Sequence, residues 1–219
     1  MKLLREICCA AVFIPAAHAA PRPHVVVLGK PSAITIHSAD ENGSGSTVKV
    51  RTIYVDGRTK EFTTGPAHDV TERTFVVQRI YKMNDSLPQD TGPTRWQWQK
   101  GGWLLVNRVS GKIQQIALAD FKPDSSAVSW FRDYAAYCGI SDDAQNVFAI
   151  IMQLGQRRPL LKKAVSETGD SPQACAQPLW ERAPTRATFE INDQKMTFAV
   201  KYRAAEVVAP EDEQTAGSE

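Results

Sequence analysis

The chain has 219 residues, and its 26 lysines and arginines against 24 aspartates and glutamates leave a formal net charge of only +2. A charge so close to zero gives no electrostatic reason to expect binding to nucleic acid or to an anionic membrane surface. The length fits one domain with a substantial core. Past the N-terminus, no stretch is long and apolar enough to predict a membrane-spanning helix.

The N-terminus has the pattern of a cleavable signal peptide. Lys2 and Arg5 give a basic start, residues 7–17 form an apolar run too short to cross a bilayer, and Ala17-His18-Ala19 offers small residues for a signal peptidase. We therefore predict a signal peptide at 1–19 and a location in the periplasm or outside the cell. Cleavage removes two cations and one anion, so the net charge falls from +2 to +1.

The cysteine count depends on the same prediction. Cys8 and Cys9 leave with the signal peptide, and Cys138 and Cys175 are then the only cysteines of the mature chain. One pair in an oxidising compartment indicates a disulfide, so we predict a Cys138–Cys175 bridge. The competing interpretation makes Cys138 a catalytic thiol, but no histidine lies near it in the sequence to act as its base.

Strand patterns dominate the first half of the mature chain. Asp56-Gly57 is a strong hairpin signal, and residues 65–73 have the composition of a polar connection. Five runs are β-branched or alternate between apolar and polar residues, which predicts strands at 25–28, 33–37, 47–55, 59–63 and 74–83.

Closely spaced turns continue through the middle of the chain. Gly101-Gly102 and Ser110-Gly111 predict turns between three short strands, at 96–99, 103–107 and 112–118. The spacing leaves no room for crossover helices, so the strands are expected to pair antiparallel.

The segment 126–138 has two interpretations. It can form a helix that ends at Gly139, or a short turn near Trp130 followed by a strand at 134–140. The polar turn at 141–146 and the apolar run at 147–154 favour the strand, because the two runs then form a hairpin.

A last hairpin is predicted at 188–191 and 195–202, and the acidic tail 206–219 is predicted to be disordered. The predicted fold is therefore mainly β, an antiparallel meander or sandwich-like single domain over 20–205, with one or two short helices.

Two resemblances are local. Residues 130–153, with an aromatic start, a Ser-Asp-Asp turn and a Val-Phe-Ala-Ile strand, resemble a blade hairpin of β-propellers. No such unit recurs at a fixed period, so blade-like hairpins are expected and a whole propeller is not. Residues 101–163 are similar to a family of uncharacterised exported bacterial proteins, a resemblance that implies export and no particular activity.

The tryptophans are the best candidates for a ligand site. Trp96 and Trp98 are two residues apart and share one face of a strand, and Trp103 follows soon after. An exposed indole platform could stack on a sugar ring; the alternative is that these indoles fill the core.

The basic residues Arg157, Arg158, Lys162 and Lys163 surround Pro159. This pattern is typical of a protected edge strand, although it could also contact an anionic envelope polymer.

No hydrolase, nucleotide-binding or metal-protease motif is present, and no metal or cofactor is predicted. We therefore expect an exported, non-catalytic protein that binds an unknown protein or an envelope glycan. The alternative is a small exported hydrolase in which Asp133 or Asp142, near Tyr134, serves as an acid–base group.

Overall fold

The computed structural model describes residues 23–37, 45–167, 175–191, 194–201 and 204–207. The predicted signal peptide, and the predicted tail beyond Val207, lie outside these residues. The final strand reaches Val207, two residues into the range assigned to the tail.

The described residues form fifteen strands in three antiparallel sheets, in agreement with the predicted mainly β fold. The first sheet contains β1 (Val26–Leu28), β2 (Ser32–His37), β3 (Gly45–Val55), β4 (Arg58–Thr71), β5 (Thr74–Asn84), β6 (Trp96–Asn107) and β7 (Ile113–Ile116). The middle sheet contains β8 (Ser129–Phe131), β9 (Tyr134–Ile140), β10 (Asn146–Gln153) and β11 (Leu161–Glu167). The last sheet contains β12 (Leu179–Glu181), β13 (Arg186–Ile191), β14 (Gln194–Lys201) and β15 (Ala204–Val207).

The middle sheet is buried on both faces. Along β9 the side chains point alternately towards the first sheet and the last sheet. Tyr137 packs with Val76 and Trp103 of the first sheet. Cys138, the next residue, packs with Phe189 and Phe198 of the last sheet. This is why the strand reads as an unbroken apolar run and not as an alternation. The three sheets therefore stack as three layers with an apolar core on each side of the middle sheet, and the first sheet has two further apolar clusters.

The Asp56-Gly57 hairpin is confirmed. Both residues have positive φ, 52° and 75°, which is the conformation that a two-residue type I′ turn requires. Asp56 also receives hydrogen bonds from the His24 ring, at 2.6 Å, and from the backbone N–H of Val25, at 2.9 Å. These two bonds hold the pKa of the Asp56 carboxyl below its usual value. The turn thus fastens the segment leading into β1.

Two segments that were predicted to lie between strands belong to strands in the structure. Strand β4 continues through most of the expected polar connection, because His68 pairs with Val76 on β5. Gly101 and Gly102 are not a turn: both oppose Arg79, since Lys100 pairs with Ile80 and Trp103 with Gln78. Two residues against one is a β-bulge, and β6 continues through it.

The predicted short helices are absent from the residues described here. In the ambiguous segment, β8 and β9 form a hairpin through Arg132 and Asp133, and Arg132 takes a positive φ of 53°. That conformation ends any right-handed helix. The strand interpretation is therefore correct, and β9 and β10 form an antiparallel hairpin.

A disulfide joins Cys138 and Cys175, as predicted, with a Cα–Cα distance of 6.2 Å. Cys138 lies in the centre of the middle sheet, and Cys175 forms a β-bridge with Ile191 at the end of β13. The bond therefore ties the middle sheet to the chain that leads into the last sheet.

We expect the double variant Cys138→Ala, Cys175→Ala to lose about 4 kcal/mol of unfolding free energy, because it no longer closes a loop of roughly 38 residues in the unfolded chain. Urea unfolding of the oxidised proteins measures the difference. Dithiothreitol should lower the midpoint of the wild type and leave that of the double variant unchanged. Equal stability of the two oxidised proteins would contradict the structural role.

A second prediction concerns the close packing at Gly139. A Cβ there would contact Ile150 Cδ1 and come within 3.0 Å of the Asp120 Cβ. Gly139→Ala should therefore lower the free energy of unfolding by about 1–3 kcal/mol. Gly92→Ala is the matched control, because its Cβ would meet no atom within 4 Å. Urea midpoints that fall equally in both variants would show that packing at Gly139 is not the cause.

Candidate functional site

The three tryptophans proposed as a ligand site share one face of the first sheet but not one environment. Across the β5–β6 ladder, Trp96 lies opposite Asn84, Trp98 opposite Lys82 and Trp103 opposite Gln78. The bulge at Gly101 and Gly102 keeps Trp103 on the same face. The environment changes along the strand, from solvent at Trp96 to the core at Trp103.

Trp103 belongs to the core between the first and middle sheets. It is 8% exposed, and its ring meets that of Trp130 edge-on with the centroids 5.4 Å apart. Its position next to Gln78 brings it over the middle sheet, where Val128 and Tyr137 cover it. Trp103 therefore does not join the other two in an open groove.

Trp98 is half-buried and lies between the buried Trp103 and the exposed end of the hairpin. Its indole packs edge-on against Phe62, with centroids 5.3 Å apart, and against the apolar cluster of Ile36, Val50 and Ile80. The Lys82 ammonium lies 5.0 Å from the centre of the same indole. These contacts fix Trp98 in place.

Trp96 is the exposed member of the three, with 60% of its surface open. It lies at the far end of the hairpin formed by β5 and β6, where Met83 and Leu87 are also exposed. We call Trp96, Met83 and Leu87 the hairpin tip. Met83 pairs with Gln97, so it lies on the opposite face of the hairpin from Trp96, and Trp96 is the candidate contact residue of its face.

The loop that connects β5 and β6 is held by its own hydrogen bonds. Arg95 donates from its guanidinium to Asp90 at 2.9 Å and from its backbone N–H to Ser86 at 2.7 Å. The Gln97 amide donates to Asp85 at 2.6 Å. The residue just before Trp96 and the residue just after it are therefore both anchored, and the indole projects from an ordered base.

The two aspartates considered for hydrolysis lie at opposite ends of β9, a seven-residue strand that spans roughly 20 Å. Asp133 accepts a hydrogen bond from the Gln153 amide at 2.8 Å. Asp142 is fully exposed, and the hydrogen bond and charge of Lys122 hold its pKa below the usual value. The pair therefore does not converge on a pocket.

A cavity of about 340 Å³ lies between the edges of the first and middle sheets. We call it the inter-sheet cavity. Its apolar wall comes from both sheets and consists of Leu105, Ile116, Leu118, Trp130, Met152 and Leu154. No sequence pattern predicts this cavity, because its lining residues come from separate segments that only the packing of the sheets brings together.

Two of the lining residues each have a buried polar atom without a hydrogen-bond partner among the described residues. They are the indole nitrogen of Trp130 and the side-chain oxygen of Gln153. The Gln153 amide is oriented by Asp133, whose carboxylate can only accept and therefore takes the NH₂ group. Each unpaired atom costs about 1–3 kcal/mol. The two side chains lie on opposite faces of the middle sheet, because Trp130 pairs with Ala135 and Gln153 with Tyr134, the residue next to Ala135.

Tyr137 positions one wall of the inter-sheet cavity. Its buried hydroxyl donates to the Ala119 carbonyl at 2.7 Å, directly after Ala117 and Leu118, which line the cavity. Burial, and then the nearby charge of Asp120, raise the pKa of the Tyr137 phenol. The hydroxyl therefore remains a neutral donor.

The predicted edge strand is found at β11, the outer strand of the middle sheet. Lys162 pairs with Asp120 at 2.8 Å, and Lys163 lies over the ring of Phe198. Arg157 lies before the strand and lines the inter-sheet cavity.

Within the described ranges, no helix is long and apolar enough to cross a membrane. No protein-family model, curated protein or solved structure matches the chain.

We expect Tyr137→Phe to cost about 1–3 kcal/mol of unfolding free energy at pH 7, because the buried Ala119 carbonyl loses its donor. The raised pKa also makes the wild type lose stability as the pH rises above about 10, where the unfolded tyrosine ionises first. The difference between the two proteins should therefore shrink above that pH. Urea unfolding at pH 7 and at alkaline pH measures both effects.

Tyr81→Phe provides the matched control at pH 7. Its half-buried ring lies under the Arg79 guanidinium, and its hydroxyl has no hydrogen bond among the described residues. A loss of stability as large in this control would contradict the role assigned to the Tyr137 hydroxyl.

Proposed function

We propose that this is an exported, non-catalytic binding protein that holds an envelope glycan at the hairpin tip. The Cys138–Cys175 disulfide is compatible with export, since such bonds persist in oxidising compartments. The observation that carries the proposal is the exposure of Trp96 on an ordered base. A rigid indole loses little conformational entropy when it binds.

The chemistry around Trp96 fits a sugar ring. A pyranose has an apolar C–H face, which stacks on an aromatic ring, and a rim of hydroxyl groups, which need hydrogen-bonding partners. Asn84 lies directly opposite Trp96 on the neighbouring strand, and Lys82 lies opposite Trp98 on the same face. Across the ladder, such pairs are about 5 Å apart, within reach of the rim of one ring.

The polar groups of the hairpin end favour a glycan over a purely apolar partner. The side-chain oxygen of Asn84 accepts a hydrogen bond from the Ser86 backbone N–H at 2.9 Å. The NH₂ group of the same amide makes no hydrogen bond among the described residues. An apolar protein surface would bury that amide without a partner, whereas a sugar hydroxyl satisfies it. The mixed surface therefore supports a glycan as the ligand.

The test is binding of the purified, oxidised protein to a glycan array and to isolated peptidoglycan in a sedimentation assay. We expect Trp96→Ala to weaken binding at least about tenfold, which corresponds to about 1.4 kcal/mol. Asn84→Ala should weaken it less, through the loss of one hydrogen bond.

Leu179→Ala is the matched control, because Leu179 is 69% exposed and lies on the last sheet. Binding that survives Trp96→Ala, or that falls equally in Leu179→Ala, would count against the hairpin tip. Wild-type protein that binds neither the array nor peptidoglycan would refute the glycan as ligand.

A further inference from the structure

Strand β7 is an outer strand of the first sheet, and one of its edges is open. In the ladder with β6, the backbone N–H of Asn107 donates to the Lys112 carbonyl at 2.9 Å. Hydrogen-bonded pairs alternate along an antiparallel ladder, so Ile113 and Gln115 direct their N–H and C=O groups away from β6. No other strand among the described residues pairs with these groups. An extended segment could therefore add here as the next strand.

The sequence of β7 lacks the residues that usually protect an open edge. Lysine and proline on an edge strand oppose the addition of a further strand. The outer strand of the middle sheet, β11, follows Pro159 and carries Lys162 and Lys163. In contrast, β7 has the sequence Ile-Gln-Gln-Ile, with neither a charge nor a proline. The edge of β7 is therefore open to pairing in a way that the edge of β11 is not.

A concave region flanks β7 on each face of the sheet. Gln114 and Ile116 share the face of Leu105 and line the inter-sheet cavity. On the opposite face is a groove of about 300 Å³, which we call the basic groove and which is lined by Lys60, Glu61, Arg79, Ile113 and Gln115. Side chains of a strand point alternately to its two faces. An added strand would therefore direct every second residue towards the cavity and the others towards the groove.

The two faces require different side chains. The inter-sheet cavity has an apolar wall that includes Leu105 and Ile116, and a large apolar side chain would cover it favourably. In the basic groove, Arg79 donates to Glu61 at 2.9 Å, and Lys60 has no ion-pair partner among the described residues. A carboxylate on the added strand would supply one. Apolar residues that alternate with acidic residues therefore fit this edge.

The charge of the edge favours an acidic peptide over a second copy of this chain. In the described part of the chain, Arg157 is the one charged residue that lines the inter-sheet cavity. The basic groove has two cations and one anion, Lys60, Arg79 and Glu61. Both sides of β7 are therefore net positive, so two such edges repel each other, whereas a peptide that carries carboxylates is attracted.

We propose that β7 binds an extended peptide in which acidic and large apolar residues alternate, as an added antiparallel strand of the first sheet. The acidic residues lie opposite Ile113 and Gln115, exchange backbone hydrogen bonds with them and point into the basic groove. The apolar residues lie opposite Gln114 and Ile116 and cover the inter-sheet cavity. Antiparallel pairing is the more stable arrangement per residue. The site lies at the opposite end of β6 from the hairpin tip and does not depend on a glycan there.

Isothermal titration calorimetry of the oxidised protein with the capped peptide acetyl-Ser-Glu-Leu-Glu-Leu-Glu-Ser-amide tests the proposal. The control peptide, acetyl-Ser-Glu-Glu-Glu-Leu-Leu-Ser-amide, has the same composition and charge without the alternation. Its two leucines point to opposite faces of an added strand, so only one of them reaches the cavity. We expect the control peptide to bind at least about tenfold more weakly.

Methylation of the peptide backbone tests the mode of binding on the unaltered protein. An N-methyl group on the central glutamate removes an N–H that donates to β7, and should raise the Kd at least about tenfold. An N-methyl group on either leucine removes an N–H that points away from β7, and should change the Kd by less than about twofold.

Two variants of the protein test the location. Gln115→Pro removes an N–H that points away from β6, so it should raise the Kd at least about tenfold and leave the urea midpoint near that of the wild type. Lys60→Glu should also weaken binding, because it places a second anion in the basic groove beside the peptide carboxylates. Lys195→Glu is the charge-matched control, because Lys195 is exposed on the last sheet, and it should leave the Kd unchanged.

Failure of the wild type to bind the alternating peptide, equal affinity for the two peptides, or equal effects of the two N-methylations would each overturn the proposal. Equal effects of Lys60→Glu and Lys195→Glu would do the same. A dimer in analytical ultracentrifugation that Gln115→Pro dissociates would show that a second copy, and not a peptide, occupies the edge.

Discussion

Burial of the middle sheet on both faces is the constraint on which the rest of the structure depends. Small side chains make it possible: Ala135, Ala136 and Ala149 are all essentially inaccessible, so the neighbouring sheets can approach the middle sheet closely. Tyr137 contributes to the core on one side, and Cys138 to the core on the other. Loss of either neighbouring sheet would therefore expose an apolar face of the middle sheet to water.

Local chemistry made part of this fold predictable. The Asp56-Gly57 turn, the β9–β10 hairpin and the Cys138–Cys175 pair follow from short-range patterns or from counting residues, and all three are present. Glycine is common both in turns and in bulges, so a Gly-Gly pair does not distinguish them, and the predicted turn at Gly101-Gly102 is wrong. The continuation of β4 to Thr71 depends on pairing with β5, which composition alone does not reveal.

The two candidate sites also differ in how much of each could be predicted from the sequence. Trp96 could be proposed from its neighbours in the sequence, but its exposure and the burial of Trp103 depend on which end of the hairpin the middle sheet covers. The inter-sheet cavity could not be proposed at all. Trp130 and Gln153 line one cavity because two sheets are stacked, and the unpaired state of their polar atoms is a property of that packing.

The long hairpin of β5 and β6 has a mechanical consequence. A partner that pulls on its far end pulls both strands in the same direction, so the ladder between them carries little load. The force passes instead to the ladders that join β5 to β4 and β6 to β7. These ladders run along the direction of pulling and are loaded in shear, with many hydrogen bonds resisting together. A pull on the far end of the hairpin would therefore be resisted by the shear strength of these two ladders.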